Sequence, residues 1–400
     1  MPDFASSPER AKGRKMIAAL AGLYEALEHD AFEDVQSRIQ SSPDYELVSL
    51  VNRYDMDFMR NASFSERAIV KSLLRRSVID AFPEFSPTPV LRSEFFGPAQ
   101  FETFKKQGVV SIGEYINQEQ RNDILRYLHD HPVYNAHIAG CGDQKPRYID
   151  DPADPADVYQ FGAYAEEAIA AMPHVARIAL NPDALDLLQN YFGVPPVLLD
   201  LHLWWSFPKP GKHGPQPFAG QGFHRDFRSL QDVQFFTCLS DLQDDDGAHE
   251  YFAGTHDDRV FVEQLNRCDR LKELPPSEAL NRVFFPVGDG YGRYPGDVDQ
   301  DEDWTVTLGP TLIRIPMRAG HSFMVDTMGL HRGVPPVRQR RLVFSARFTA
   351  TGGETAIAER RRSGGSLKSA AESRVEYTLS YFKQKMGNDV ASALARDLDG

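Results

Sequence analysis

The chain has 400 residues, 42% of them hydrophobic, and a formal net charge of −13. That is enough apolar material for one large globular domain, or for a domain with a helical appendage. The acidic balance argues against the basic surface that a polyanion demands, so no nucleic-acid partner is expected. No apolar run approaches a transmembrane length, so no membrane partner is expected either. Met1-Pro2-Asp3-Phe4-Ala5 lacks the basic and apolar regions of a secretory signal. Cys141, Cys238 and Cys268 are far apart and contain no Cys-x-x-Cys pair, against a disulfide scaffold or a thiolate zinc site. The expectation is a reduced, soluble, cytoplasmic protein.

In chain order, residues 1–12 are polar, and helical spacing begins with Met16, Ile17, Leu20, Leu23, Tyr24 and Leu27. Helical patterns continue over 32–39 and 45–58. Ser63-Phe64-Ser65-Glu66 then offers a capping signal before 67–81. Pro83, Pro87 and Pro89 break the pattern. This N-terminal region is expected to cover a catalytic domain or to mediate homodimerisation. A short helix ends at Gly108, where a C′ glycine fits, and Val109-Val110-Ser111-Ile112 reads as a strand. Asn117–His129 reads as a helix, 132–157 as a loop, and 163–171 and 184–191 as helices. An apolar strand over 196–206 follows.

From there strands dominate: one carrying His224, then 233–240, 250–253, 312–315, 322–325 and 341–350, separated by turn residues as in a barrel or jelly roll. The 257–310 stretch is longer than a simple turn. Loops of that length are usually lids or binding loops, and Tyr291, Tyr294 and Trp304 on it are candidates to stack on a ring. Residues 372–385 and 389–398 close the chain as helices.

Within Gly222-Phe223-His224-Arg225-Asp226-Phe227, His224 and Asp226 stand two apart, which on a strand puts both side chains on one face. With the distant His331 they would form a 2-His-1-carboxylate triad, the ligand set that leaves positions open on a non-heme Fe(II). A bare His-x-Asp is weak, and His256-Asp257-Asp258 offers a second one. That rival follows the Gly254-Thr255 turn without a strand of its own. For His331, Asp326 is a candidate partner of the second ring nitrogen, or simply a turn cap.

The surrounding motifs resemble, in order, those of the phytanoyl-CoA dioxygenase-like family. Phe104-Lys105-Lys106-Gln107-Gly108-Val109-Val110 is similar to its opening helix, glycine and strand, and Gly222–Asp226 to its proximal metal motif. Leu239-Ser240-Asp241-Leu242, Asp246-Gly247-Ala248-His249 and Ala253-Gly254-Thr255-His256 resemble its acidic-Gly turn and the run after it, with Ala253 in place of the usual proline. Ala319–Phe323 and Leu330-His331-Arg332-Gly333 resemble the approach to its distal histidine. The likeness spans about residues 100–350.

The resemblance implies a mainly β core with helices (α+β): a double-stranded β-helix, or cupin-like jelly roll. The expected division is an N-terminal helical region (1–95), a dioxygenase domain (96–355) with a long insert at 257–310, and a C-terminal helical segment (356–400). It implies Fe(II) on His224, Asp226 and His331, with 2-oxoglutarate and O2 as cosubstrates. The far carboxylate of 2-oxoglutarate needs a guanidinium fork, and the family's arginine position matches Arg341, with Arg340 one residue out of register. Ser345 would add a hydroxyl, and Ser206 and His202 would line the pocket. Arg347 is either a substrate contact or an exposed strand charge. The implied reaction hydroxylates an unactivated C–H of a small molecule (secondary metabolite, saccharide or acyl derivative), giving succinate and CO2. Desaturation and epimerisation are alternatives, whereas halogenating relatives carry a small residue where Asp226 stands. A cupin-like zinc or manganese protein would share the ligands but have no use for Arg341.

Overall fold

Gly108 is the first hinge point of the fold. In this computed structural model it ends helix α1 (Pro98–Gln107) with a positive φ of 78°, and its N–H donates to the Phe104 carbonyl at 2.7 Å. Only glycine adopts that conformation without strain. The structure describes residues 95–135, 145–149, 161–208, 221–226, 231–242, 246–265, 308–350 and 370–396, with 71, 72, 75, 78, 79, 82–85 and 305. The described positions between 71 and 79 are helical. The helices expected over 15–29, 32–39 and 45–58, most of the 257–310 insert, and Tyr291, Tyr294 and Trp304 lie outside the described residues.

Strand β1 (Val109–Glu114) follows α1, then α2 (Gln118–His129). Asn117 caps α2 reciprocally: its side chain accepts from the Gln120 N–H at 2.9 Å, and the Gln120 side chain accepts from the Asn117 N–H at 3.0 Å. Next come β2 (Val133–Asn135), β3 (Phe161–Tyr164), α3 (Glu166–Ala170), α4 (Val175–Ala179) and α5 (Pro182–Phe192), the last capped by Asn181. Two expectations are corrected here. The stretch read as a loop contains β2, and the helix expected over 163–171 is β3 followed by the short α3. Strand pairing overrides local propensity, because Phe161 and Ala163 pair with Ser206 and Trp204 of β4 (Val197–Ser206).

The remaining elements are β5 (Asp232–Cys238), β6 (His249–Phe252), α6 (Asp258–Leu265), β7 (Leu312–Ile315), β8 (His321–Asp326), β9 (His331–Gly333), β10 (Arg341–Thr349), α7 (Ala370–Met386) and α8 (Asn388–Arg396). They form a seven-stranded sheet in the order β1-β8-β5-β10-β4-β3-β2 and a three-stranded sheet in the order β7-β6-β9, every pairing antiparallel. No helix among the described residues is long and apolar enough to cross a membrane.

Period two divides the large sheet into two faces. Leu201, Leu203, Val233, Phe235, Leu342, Phe344 and Phe348 join one core with Leu185, Leu188 and Phe192 of α5 and Tyr377 and Phe382 of α7. The C-terminal helices thus share the core of the sheet. On the other face Phe236, Cys238, Phe323, Val325 and Val343 meet Tyr251 and Ile315 of the small sheet. Polar side chains interrupt this second, inter-sheet core, and they gather at one place.

Candidate active site

His224 and Asp226 do not lie on a regular strand, contrary to the sequence reading. His224 makes an isolated bridge to His331: each backbone N–H donates to the other's carbonyl at 2.9 Å. The next rung is displaced, since the Asp226 N–H donates to Thr327 across the turn at residues 327–330. That turn breaks the register and stops the strand. The two-apart geometry survives, because Arg225 folds the other way, onto the Met328 carbonyl and the Asp258 carboxylate.

Ligand atoms of His224, Asp226 and His331 all lie within 4.8 Å of one another, the His224 Nε2 to Asp226 Oδ1 separation being 3.8 Å. Nδ1 of His224 donates to the Gly222 carbonyl and Nδ1 of His331 to the Gly329 carbonyl, each at 2.8 Å. A carbonyl only accepts, so both protons sit on Nδ1 and both Nε2 atoms present lone pairs. The acceptor behind His331 is therefore Gly329. Asp326 instead caps its turn by accepting from the Met328 N–H at 2.9 Å, and also accepts from the Tyr191 hydroxyl.

Asp226 is held from one side. Its Oδ2 accepts from Gln234 Nε2 at 2.9 Å and from Arg347 Nη2 at 3.2 Å, leaving Oδ1 turned toward His224. Gln234 is itself fixed by Ser345, whose hydroxyl donates to Oε1 at 2.8 Å. Arg347 is buried and also lies 3.5 Å from Asp200. The exposed strand charge is thereby excluded, and the guanidinium bridges two carboxylates. Asp200 in turn meets the His202 imidazole at 3.0 Å, with His202 still 42% exposed on the inner face of β4.

Arg341 stands at the other end of β10. It is 4% exposed, and its guanidinium donates to the carbonyls of Gly247 and Val334 and to Ser206 Oγ, the last at 3.2 Å. All three acceptors are neutral, and Nε has no partner among the described residues. Burial pulls its pKa down to about 10, with Cys238 and Asp246 pulling the other way, so it is cationic at neutral pH. The head lies against Gly333, two residues beyond His331: a Cβ there would stand 3.0 Å from Nη2. Arg340 is on the opposite side, over the Trp205 ring.

The rival motif is committed to other contacts. His256 Nε2 bonds the Lys105 carbonyl at 3.1 Å, Asp257 caps α6 by accepting from the Arg259 N–H at 2.8 Å, and Asp258 pairs with Arg225. It braces the segment between the two proximal groups instead of competing with them. Sequence reading missed Gln234, Asp200 and His249. Gln234 carried a usable signal, an amide inside a strand whose seven residues are all buried.

Burial first, then His224, pushes the His331 imidazole down to about 3. Above an unfolded-state value near 6.5 both states are neutral, and below it the unfolded chain binds the proton first. Stability of the metal-free protein should therefore fall as pH drops from about 6.5 toward 3, by at most about 1.4 kcal/mol per pH unit from this residue. Urea denaturation at pH 7 and pH 5 checks this. His331→Gln should show a shallower pH dependence, and an equal slope would contradict the assignment.

No family model and no curated protein matches the chain. Among solved structures, it aligns with the non-heme alpha ketoglutarate dependent epimerase SnoN from nogalamycin biosynthesis at 14% identity, over 63% of this chain and 79% of that one (TM-score 0.38). It aligns with HygX from Streptomyces hygroscopicus, with nickel, 2-oxoglutarate and hygromycin B bound, at 15% identity over 63% and 86% (TM-score 0.36). The non-heme alpha ketoglutarate dependent carbocyclase SnoK aligns at 13% over 63% and 83% (TM-score 0.36). These comparisons assign no family to the chain.

Proposed function

We propose that this chain is an Fe(II)/2-oxoglutarate-dependent oxygenase built on a double-stranded β-helix. In this reading it hydroxylates an unactivated C–H of a small molecule. One observation carries the reading: a 2-His-1-carboxylate cluster shares the inter-sheet space with a buried arginine whose hydrogen-bond acceptors among the described residues are all neutral. The cluster fits a divalent metal with open positions. The arginine fits the distal carboxylate of a bound keto acid, since a buried cation without a counterion is otherwise costly.

When bound, Fe(II) and 2-oxoglutarate supply dioxygen activation, with succinate and CO2 as coproducts. The chain's own part is to position. His224 and His331 offer neutral Nε2 atoms whose ring orientation is fixed by the Gly222 and Gly329 carbonyls. Asp226 offers Oδ1 while Gln234 and Arg347 hold Oδ2. Arg341, braced by Ser206 and two carbonyls, presents a fork to the distal carboxylate. Asp226 fills the third ligand position, which leaves no vacancy for a halide.

The test is succinate formation under air by anaerobically purified protein given Fe(II), 2-oxoglutarate and a broad panel of small molecules. His224→Ala and His331→Ala should each lose on the order of a thousandfold or more in turnover, as expected when a metal ligand is removed (about 4 kcal/mol in transition-state stabilisation). Absence of succinate from wild type across the panel, or unchanged turnover in His224→Ala, would sink the proposal.

A further inference from the structure

His249 belongs to none of the roles assigned so far, yet it occupies the ground between the two halves of the site. It opens β6, directly opposite Gly333 of β9, the residue against which the Arg341 head rests. Its ring lies 5.6 Å from that of His331 and is flanked by Phe236 and Phe323 of the large sheet at 5.4 and 5.1 Å. It therefore points into the inter-sheet space. The residue is 6% exposed, and its Nε2 has no hydrogen-bond partner among the described residues. An orphaned buried polar atom is expensive unless something absent from the folded chain satisfies it.

Arg341 Nε, too, has no hydrogen-bond partner among the described residues. A neutral imidazole can donate from Nε2 without adding a second cation beside the guanidinium. Among the described residues, His249 stands outside the group able to share one metal ion. An anionic oxygen group reaching both would satisfy it and Arg341 together.

We infer that His249 is a positioning residue for the cosubstrate, donating its Nε2–H to the distal carboxylate that Arg341 binds. This rests on the 2-oxoglutarate reading above and extends it to a residue that adjusts affinity for the dicarboxylic keto acid. Of the two hydrogen-bonding groups placed on that carboxylate, Arg341 supplies the charge and His249 supplies a directional neutral contact.

The experiment is an anaerobic titration of the Fe(II)-loaded protein with 2-oxoglutarate, followed by the visible metal-to-ligand charge-transfer band. His249→Phe keeps the ring stack and removes the donor. It should weaken 2-oxoglutarate by about tenfold or more, the range for a hydrogen bond to a charged group, with Fe(II) affinity unchanged. His249→Gln restores a donor and should recover most of the loss. Pyruvate lacks the distal carboxylate and should bind wild type and His249→Phe alike. Should His249→Phe not fold by circular dichroism, His249→Leu serves as the donor-free variant. Wild-type affinity for 2-oxoglutarate in the donor-free variant overturns the inference, as does an equal penalty with pyruvate or no recovery in His249→Gln. If Arg341→Met alone weakens 2-oxoglutarate, the cosubstrate reading stands and only His249 is removed from it. A wild-type protein that gives no band with either keto acid overturns both.

Discussion

Arg341→Met should bind Fe(II) as wild type does and yet lose 2-oxoglutarate affinity by roughly 30-fold to more than a thousandfold. That range corresponds to about 2–5 kcal/mol for truncating one partner of a buried charged pair. Arg341→Lys should recover little, because an ammonium cannot reproduce the planar two-point contact. The same substitution carries an opposite expectation for stability. Among the described residues the guanidinium is buried against neutral hydrogen-bond acceptors. An apolar side chain of similar volume should leave the fold equally stable or more stable, as when buried ionic groups elsewhere are replaced by hydrophobic ones. Loss of cosubstrate without loss of stability is the signature of a charge retained for binding. If Arg341→Met unfolds the protein, or binds 2-oxoglutarate normally, the anchor is elsewhere.

Arg347→Met should behave in the reverse manner. This guanidinium lies between Asp200 and Asp226, and its removal strips a cation from two carboxylates at once. Breaking a buried pair in this way costs about 3–5 kcal/mol, and loss of a group that orients a metal ligand typically costs about 10–100-fold in metal affinity. Urea denaturation of the metal-free variant measures the first effect, and Fe(II) titration measures the second. Adding Asp200→Asn should return part of the stability, since it removes one of the two stranded charges. It should not return the metal affinity, because Asp226 Oδ2 would still lack its cation and keep only the neutral Gln234 donor. A variant within about 1 kcal/mol of wild type would mean that solvent already screens the bridge.

Residues that act through their own strand or turn were legible in the sequence. The period-two reading of β10 separated Arg341, Val343, Ser345 and Arg347 from Leu342, Phe344, Ala346 and Phe348, and the structure puts the second group in the apolar core. Gly108 announced its helix end because capping is local chemistry. What stayed hidden depends on elements far apart in the chain. Asp258 looks like half of a rival metal motif until Arg225 is seen to reach it. His249 looks like the residue after a turn until β6 lands between β7 and β9. Arg347 was ambiguous because alternation gives a face but not what lies across from it, here Asp200 and Asp226.

The reciprocal backbone bonds between His224 and His331 have a consequence for how tightly and how rapidly a metal is captured. The two imidazoles are brought together at the moment of folding, so the entropy of closing the long chain segment between them is incurred before any ion arrives. In the proposed function, an incoming cation would meet them as one ready-made bidentate chelator, with Asp226 as the third tooth. Loop-closure cost grows only logarithmically, by about 0.6 kcal/mol for each doubling in length. The length of the stretch between β6 and β7 would therefore have little effect on the cost of holding that bite.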